Sequence, residues 1–160
     1  MQGKAFLGKK KLPEKDYLFG LRGRMDERFD LSRMVRDKRY VYIRNYMPHP
    51  PHGQYLAYQF ETPTTQVWNR LYKEGNLPPH QAYYWGPKVA EELYDLEADP
   101  DEINNLTHDP EHQKILKRLR KELSKRERGT RDIGFIPEVD ILELYADRIP
   151  YDLAQDTKAY

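Results

Sequence analysis

Between residues 22 and 28 the chain reads RGRMDER, three arginines around an Asp-Glu pair. The guanidinium groups of Arg22, Arg24 and Arg28 are planar forks of donors that match sulfate, phosphate or carboxylate. Asp26 and Glu27 can accept hydrogen bonds from sugar hydroxyls. Placed at the end of a strand, the same five residues also make an ordinary surface salt-bridge network. Residue chemistry alone leaves both readings open.

Other stretches suggest metals. Asp95, Glu97, Asp99 and Asp101 occupy alternate positions in ELYDLEADPDEINNL, as the oxygen ligands of a calcium loop would. Counted from Asp95, however, Pro100 falls where such a loop needs glycine, and Leu106 falls where it needs a bidentate glutamate. The expectation is a solvated turn, with Ile103 and Leu106 folding back as apolar anchors. HDPEH at 108–112 matches an inverted zinc-protease pattern that requires both histidines on one helical face. Pro110 favours a helix beginning there, with Asp109 as its cap, which leaves His108 outside. His49 and His52 sit in a proline-rich loop with no third ligand close in sequence, so solvent-facing loop histidines are expected.

RDKRYVYIRNY interleaves cations with tyrosines, as a platform for single-stranded nucleic acid would. A two-stranded antiparallel ribbon with one wet face produces the same alternation. Whole-chain charge decides between them. Twenty-seven Lys and Arg nearly cancel 26 Asp and Glu, so no nucleic-acid partner is expected. The absence of cysteine excludes disulfides, thiolate metal sites and a cysteine nucleophile. No apolar run approaches the roughly 20 residues that span a bilayer, so no membrane partner is expected either.

These residues must be held by a modest core, as 160 residues suggest. Strand patterns fall near 16–21, 33–36, 39–46 and 91–96, the middle two joined as a hairpin through Asp37-Lys38. Residues 1–15, with Lys9-Lys10-Lys11, form an exposed lead-in. His49 to Tyr58 is read as a loop. Thr62-Pro63 opens a helix bearing Val67, Trp68 and Leu71 that stops at Gly75, and a short second helix falls within 77–85. The strongest helix covers 110–128, with Ile115, Leu116, Leu119 and Leu123 on one face and Gly129 as its stop. A shorter helix follows Pro137, and the tail beyond Pro150 is weakly patterned.

The segment YLFGLRGRMDERFDLSRMVRDKRYVYIRNYMP, followed by AEELYDLEADPDEINNL and a DPE-initiated helix, resembles the C-terminal region of type I sulfatases of the alkaline-phosphatase superfamily. Arylsulfatase-like and heparan-sulfatase-like enzymes are the nearest in appearance. The likeness runs over residues 2–137, from QGKAFLG to GFIPE. It implies an α+β fold in which a small antiparallel sheet of about four strands packs against a long C-terminal helix. A partly helical insert at 47–88 would be the variable substrate-side elaboration, and 138–160 a further helix and tail.

The resemblance also implies a chain without its catalytic domain. In a complete family enzyme that domain holds calcium and a formylglycine matured from Cys or Ser in a C-x-P-x-R or S-x-P-x-R motif. Ser32 and Ser124 lie in SRMV and SKRE, so neither fits, and no catalytic or metal residue carries over. The implied contribution is closure of the active-site cleft and positioning of a sulfated saccharide or aryl sulfate, with Arg22, Arg24, Asp26, Glu27 and Arg28 as substrate-binding candidates. A periplasmic or extracellular setting is implied as well, although residues 1–15 lack the apolar core of a signal peptide. The alternative is a free-standing module that binds a protein or polyanion through its basic helix.

Overall fold

Short runs of alternating residues between turn signals dictate the centre of the molecule. In the computed structural model, which describes residues 5–144 and 149–155, they form strands β1 (Leu18–Arg22), β2 (Ser32–Arg36), β3 (Tyr40–Asn45) and β4 (Glu91–Asp95). All neighbours are antiparallel and the spatial order is β1-β2-β3-β4. The β2–β3 hairpin is closed by Asp37, whose carboxylate accepts the amides of Arg39 (2.8 Å) and Tyr40 (2.6 Å).

One face of the sheet meets the long helix. Asp109 caps a single 3-10 turn at Pro110–His112 by accepting the Glu111 amide at 2.8 Å, and an 18-residue helix continues from Gln113 to Thr130. Leu116, Leu119 and Leu123 of this helix bury themselves on Val35, Tyr42 and Leu93. They recur at helical spacing while the strand residues recur in register, so the two periods meet in one core. The α+β architecture is as expected.

Several local expectations fail for identifiable reasons. β3 has no wet face: Val41 is 3% exposed and Tyr42 2%. Tyr42 reaches under the long helix and donates its hydroxyl to Glu91 at 2.5 Å, so a polar tip let an aromatic body enter the core. The helix runs past Gly129, because the left-handed position is taken by Arg131 (φ 47°). Asp132, just beyond, is held by Arg33 of β2, which sets where the turn occurs. Leu106 does anchor against the core, but Ile103 is exposed. Asn105 protects the outer edge of β4, accepting the Leu93 amide and donating to the Glu91 carbonyl.

Between β3 and β4 the chain makes an excursion with three helices, α1 (Ala57–Phe60), α2 (Pro63–Lys73) and α3 (Pro79–Ala82). The long helix is therefore α4, and α5 (Glu138–Leu144) and α6 (Pro150–Gln155) follow it. The loop expected at 49–58 is thus shortened by α1. Thr62 stands at the N-cap position of α2 with Pro63 after it, but its hydroxyl donates to the Gln59 carbonyl instead of capping. Gly75, at φ +72°, follows the end of α2. A neck holds the excursion together: the amides of Asn45, Lys88 and Gly53 bond the carbonyls of Ala90, Pro48 and Tyr84 at 2.8–3.0 Å. Glycine is required at 53, where a Cβ would stand 2.5 Å from the Tyr84 ring. The exposed lead-in is seen from residue 5 onward. Its first four residues, 145–148 and the tail from 156 lie outside the described residues.

Candidate functional site

RGRMDER is a tight hairpin at the end of β1. Met25 and Arg28 exchange both backbone hydrogen bonds at 3.0 Å, and Asp26 takes the left-handed conformation (φ 52°) that a two-residue turn demands. Aspartate tolerates that region better than most residues.

Its side chains have different fates. Arg24 pairs with Glu138 of α5. Glu27 turns away and accepts the amide of Ala57 at 2.7 Å, at the first residue of α1. That amide, together with its own, holds the Glu27 carboxyl below the usual range. Arg22 donates to the His52 carbonyl at 3.0 Å, lies 3.2 Å from His52 Nδ1, and pairs with Asp30 at 3.3 Å. Burial pushes the His52 imidazole down, which favours a neutral ring accepting from Arg22. Behind this layer Asp30 meets Lys88 at 2.5 Å, both side chains at most 1% exposed. Arg28 is half-buried, and its Nε has no hydrogen-bond partner among the described residues.

The three arginines line one cavity of about 400 Å³, together with His52 and Tyr84. The surface thus brings together Arg22, Arg24 and Arg28, while Asp26 stands at the hairpin tip and Glu27 is spent as a strut to α1. Sequence reasoning missed Asp30, Lys88 and Tyr84, and His52, expected as a solvent-facing loop histidine, is half-buried because Arg22 packs against it. For Lys88 a faint signal existed, a lone cation in the otherwise uncharged run YYWGPKVA. A larger cavity, about 670 Å³, lies between the lead-in and the β2–β3 turn and includes none of these residues.

The carboxylate ladder is not a solvated turn throughout. Asp95 is buried, takes a forked contact from Arg39 at 2.6–3.0 Å, and accepts the amides of Glu97 and Ala98. Arg39 foremost, helped by those amides, holds its carboxyl at about 2. Glu91 also lies at about 2: burial would raise it, but bonds from Arg120, Tyr42 and Arg44 prevail. A depressed folded pKa stabilises above the ordinary carboxylate value and loses that contribution as pH falls toward 2. Acid unfolding should therefore steepen between about pH 4.5 and pH 2. Urea titrations across that window should show a shallower decline in Asp95→Asn and Glu91→Gln than in the parent, and equal slopes would refute the assignment.

In HDPEH, His112 approaches Asp109 at 2.9 Å and meets the Tyr40 ring edge-on at 5.9 Å, while His108 is exposed. Among the described residues no group of three or more His, Cys, Asp or Glu converges on a metal position. Ser32 is buried and donates to Asn45 at 2.7 Å. The residues present therefore do not fit a calcium or formylglycine centre, and no chemical step is assigned to either here. No helix among the described residues is long and apolar enough to cross a membrane.

Stretches of this sequence have counterparts among known proteins. Residues 80–129, which carry β4, its turn and most of α4, match the family "N-sulphoglucosamine sulphohydrolase, C-terminal". Over 143 residues, 89% of this chain, it is 40% identical to a protein of Formosa agariphila. The chain matches the C-terminal region of sulfatases. The matched protein is an "Ulvan-active sulfatase", and a second protein so described from the same organism is 31% identical over 129 residues, 77% of this chain. The chain spans about a quarter of the length of each (24%). A solved 2-O GAG sulfatase is 25% identical, with a TM-score of 0.46, covering 78% of this chain and 18% of its own.

Proposed function

We propose that this region closes one side of a sulfatase active-site cleft and positions a sulfated saccharide through the RGRMDER hairpin. The observation that carries the reading is the 400 Å³ cavity lined by Arg22, Arg24 and Arg28, three guanidinium groups brought to one wall. Guanidinium forks gathered on one wall suit the oxygens of a sulfate group. Arg22 is fixed by Asp30 and His52 and supplies a preset positive wall. Arg24 can exchange Glu138 for substrate, since both side chains are substantially exposed. Asp26 offers a carboxylate to a sugar hydroxyl, whereas Glu27 sets the angle between the hairpin and α1.

The catalytic region, with its calcium and formylglycine, would be the partner in this arrangement. In support, β1 has no strand neighbour on its outer side among the described residues, and Leu18, Phe19 and Leu21 are exposed along it. An apolar edge of this kind is normally covered. The 47–88 excursion would be the substrate-side elaboration, and a sulfated polysaccharide such as the ulvan acted on by the Formosa proteins is the substrate class.

The test is kinetic. In a sulfatase carrying this region, Arg28→Ala should lower kcat/KM about 10- to 150-fold, chiefly through KM, as expected for one lost charged hydrogen bond. A surface salt-bridge role predicts unchanged kinetics and at most about 1 kcal/mol of lost stability. Saccharide binding that ignores Arg28 but fails when Lys114, Lys117 and Lys121 of α4 are neutralised would favour a polyanion-binding module instead.

A further inference from the structure

We infer that the excursion carries a sugar-ring platform centred on Tyr55, joined to the arginine cavity by a run of aromatic rings. The inference rests on that cavity being a substrate site. Tyr84 forms part of the cavity wall, and a run of rings leads away from it. Its neighbour Trp85 lies 5.0 Å away edge-on, Phe60 lies 6.0 Å from Trp85, and Tyr55 lies 4.8 Å from Phe60 at a shallow 34°. Trp85 is buried, but Tyr55 at the end of the run is 64% exposed.

An exposed tyrosine alone means little. This one is fixed on three sides. Leu56 beside it is buried, Phe60 supports its ring, and two hydrogen bonds tie its segment to the arginine hairpin. Those bonds are Glu27 to the Ala57 amide at 2.7 Å and Gln54 Nε2 to the Phe29 carbonyl at 3.0 Å. The rotamer and backbone entropy that a mobile aromatic would lose on binding is thus already spent.

Chemistry selects the occupant. An aromatic face is electron-rich and accepts the polarised C–H groups on the flat side of a pyranose. A neighbouring cluster of three arginines selects an anionic chain over a neutral one. Together they fit an anionic oligosaccharide, one unit stacked on Tyr55 while the sulfate of another occupies the cavity. Neither a neutral glycan nor a simple anion would use both.

Three probes separate the parts: a sulfated oligosaccharide prepared from ulvan, its chemically desulfated counterpart, and inorganic sulfate. Each is titrated into the full chain by calorimetry or NMR. Tyr55→Ala should weaken both oligosaccharides about 3- to 10-fold and leave sulfate binding unchanged. Tyr55→Phe should retain affinity, and Tyr151→Ala, an exposed tyrosine on α6, should change nothing. If Arg28→Ala narrows the preference for the sulfated chain while Tyr55→Ala alters neither oligosaccharide, the platform alone is overturned. A parent chain without any preference for the sulfated form would remove the substrate reading beneath it. Equal loss in Tyr55→Ala and Tyr151→Ala would also overturn the platform.

Discussion

Asp30→Ala should lower the free energy of unfolding by about 3–5 kcal/mol, the cost of leaving one partner of a buried ion pair uncompensated. Lys88 is completely shielded and its ammonium lies 2.5 Å from the Asp30 carboxylate. Removing Asp30 also takes the acid from Arg22, so the hairpin behind the cavity loses its fixed base. For a chain of this length the melting temperature should fall by roughly 6–20 °C. Lys88→Met should be similarly damaging. The double variant Asp30→Leu/Lys88→Met should recover much of the loss, because two apolar groups need no desolvated charge between them. A single-variant loss under about 1 kcal/mol would mean that water reaches the pair and that it behaves as a surface contact.

Leu119→Ala should cost about 2–5 kcal/mol. This side chain is fully buried at the centre of the cluster where α4 meets β2 and β3. Its truncation removes transfer free energy and leaves a cavity that the surrounding core fills only in part. Ile115, one turn earlier on the same face, is only partly buried, so Ile115→Ala should cost less. Chemical denaturation of both variants gives the ordering, and a reversed order would place the helix in a different rotation from the one described.

The strands and α4 were legible because each obeys one period and is bounded by a strong turn or cap signal. Asp37 and Asp109 show this well, since each binds amides two or three residues away. RGRMDER was legible as a place but not as a set of partners. Arg22 finds His52, Arg24 finds Glu138, and Glu27 finds Ala57, separations of 30 to 114 residues. Nothing in a local window encodes such meetings. For the same reason the carboxylate ladder misled: Asp95 looked like a solvated acid until Arg39, 56 residues earlier, was brought beside it. Gly129 failed as a stop signal because a tertiary contact, Arg33 to Asp132, overrode a local preference.

The three backbone rungs at the neck of the excursion give the fold a modular character. Asn45–Ala90, Pro48–Lys88 and Gly53–Tyr84 fix the two ends side by side, so what lies beyond Leu56 and before Trp85 is a closed loop on an independent base. The entropy of closing a flexible loop rises only with the logarithm of its length, about 0.6 kcal/mol for each doubling. Insertions or replacements in that distal stretch therefore weigh little on the sheet, provided the neck survives. Evolution could exchange this cassette, α2 included, while β3 and β4 continued to pair unchanged.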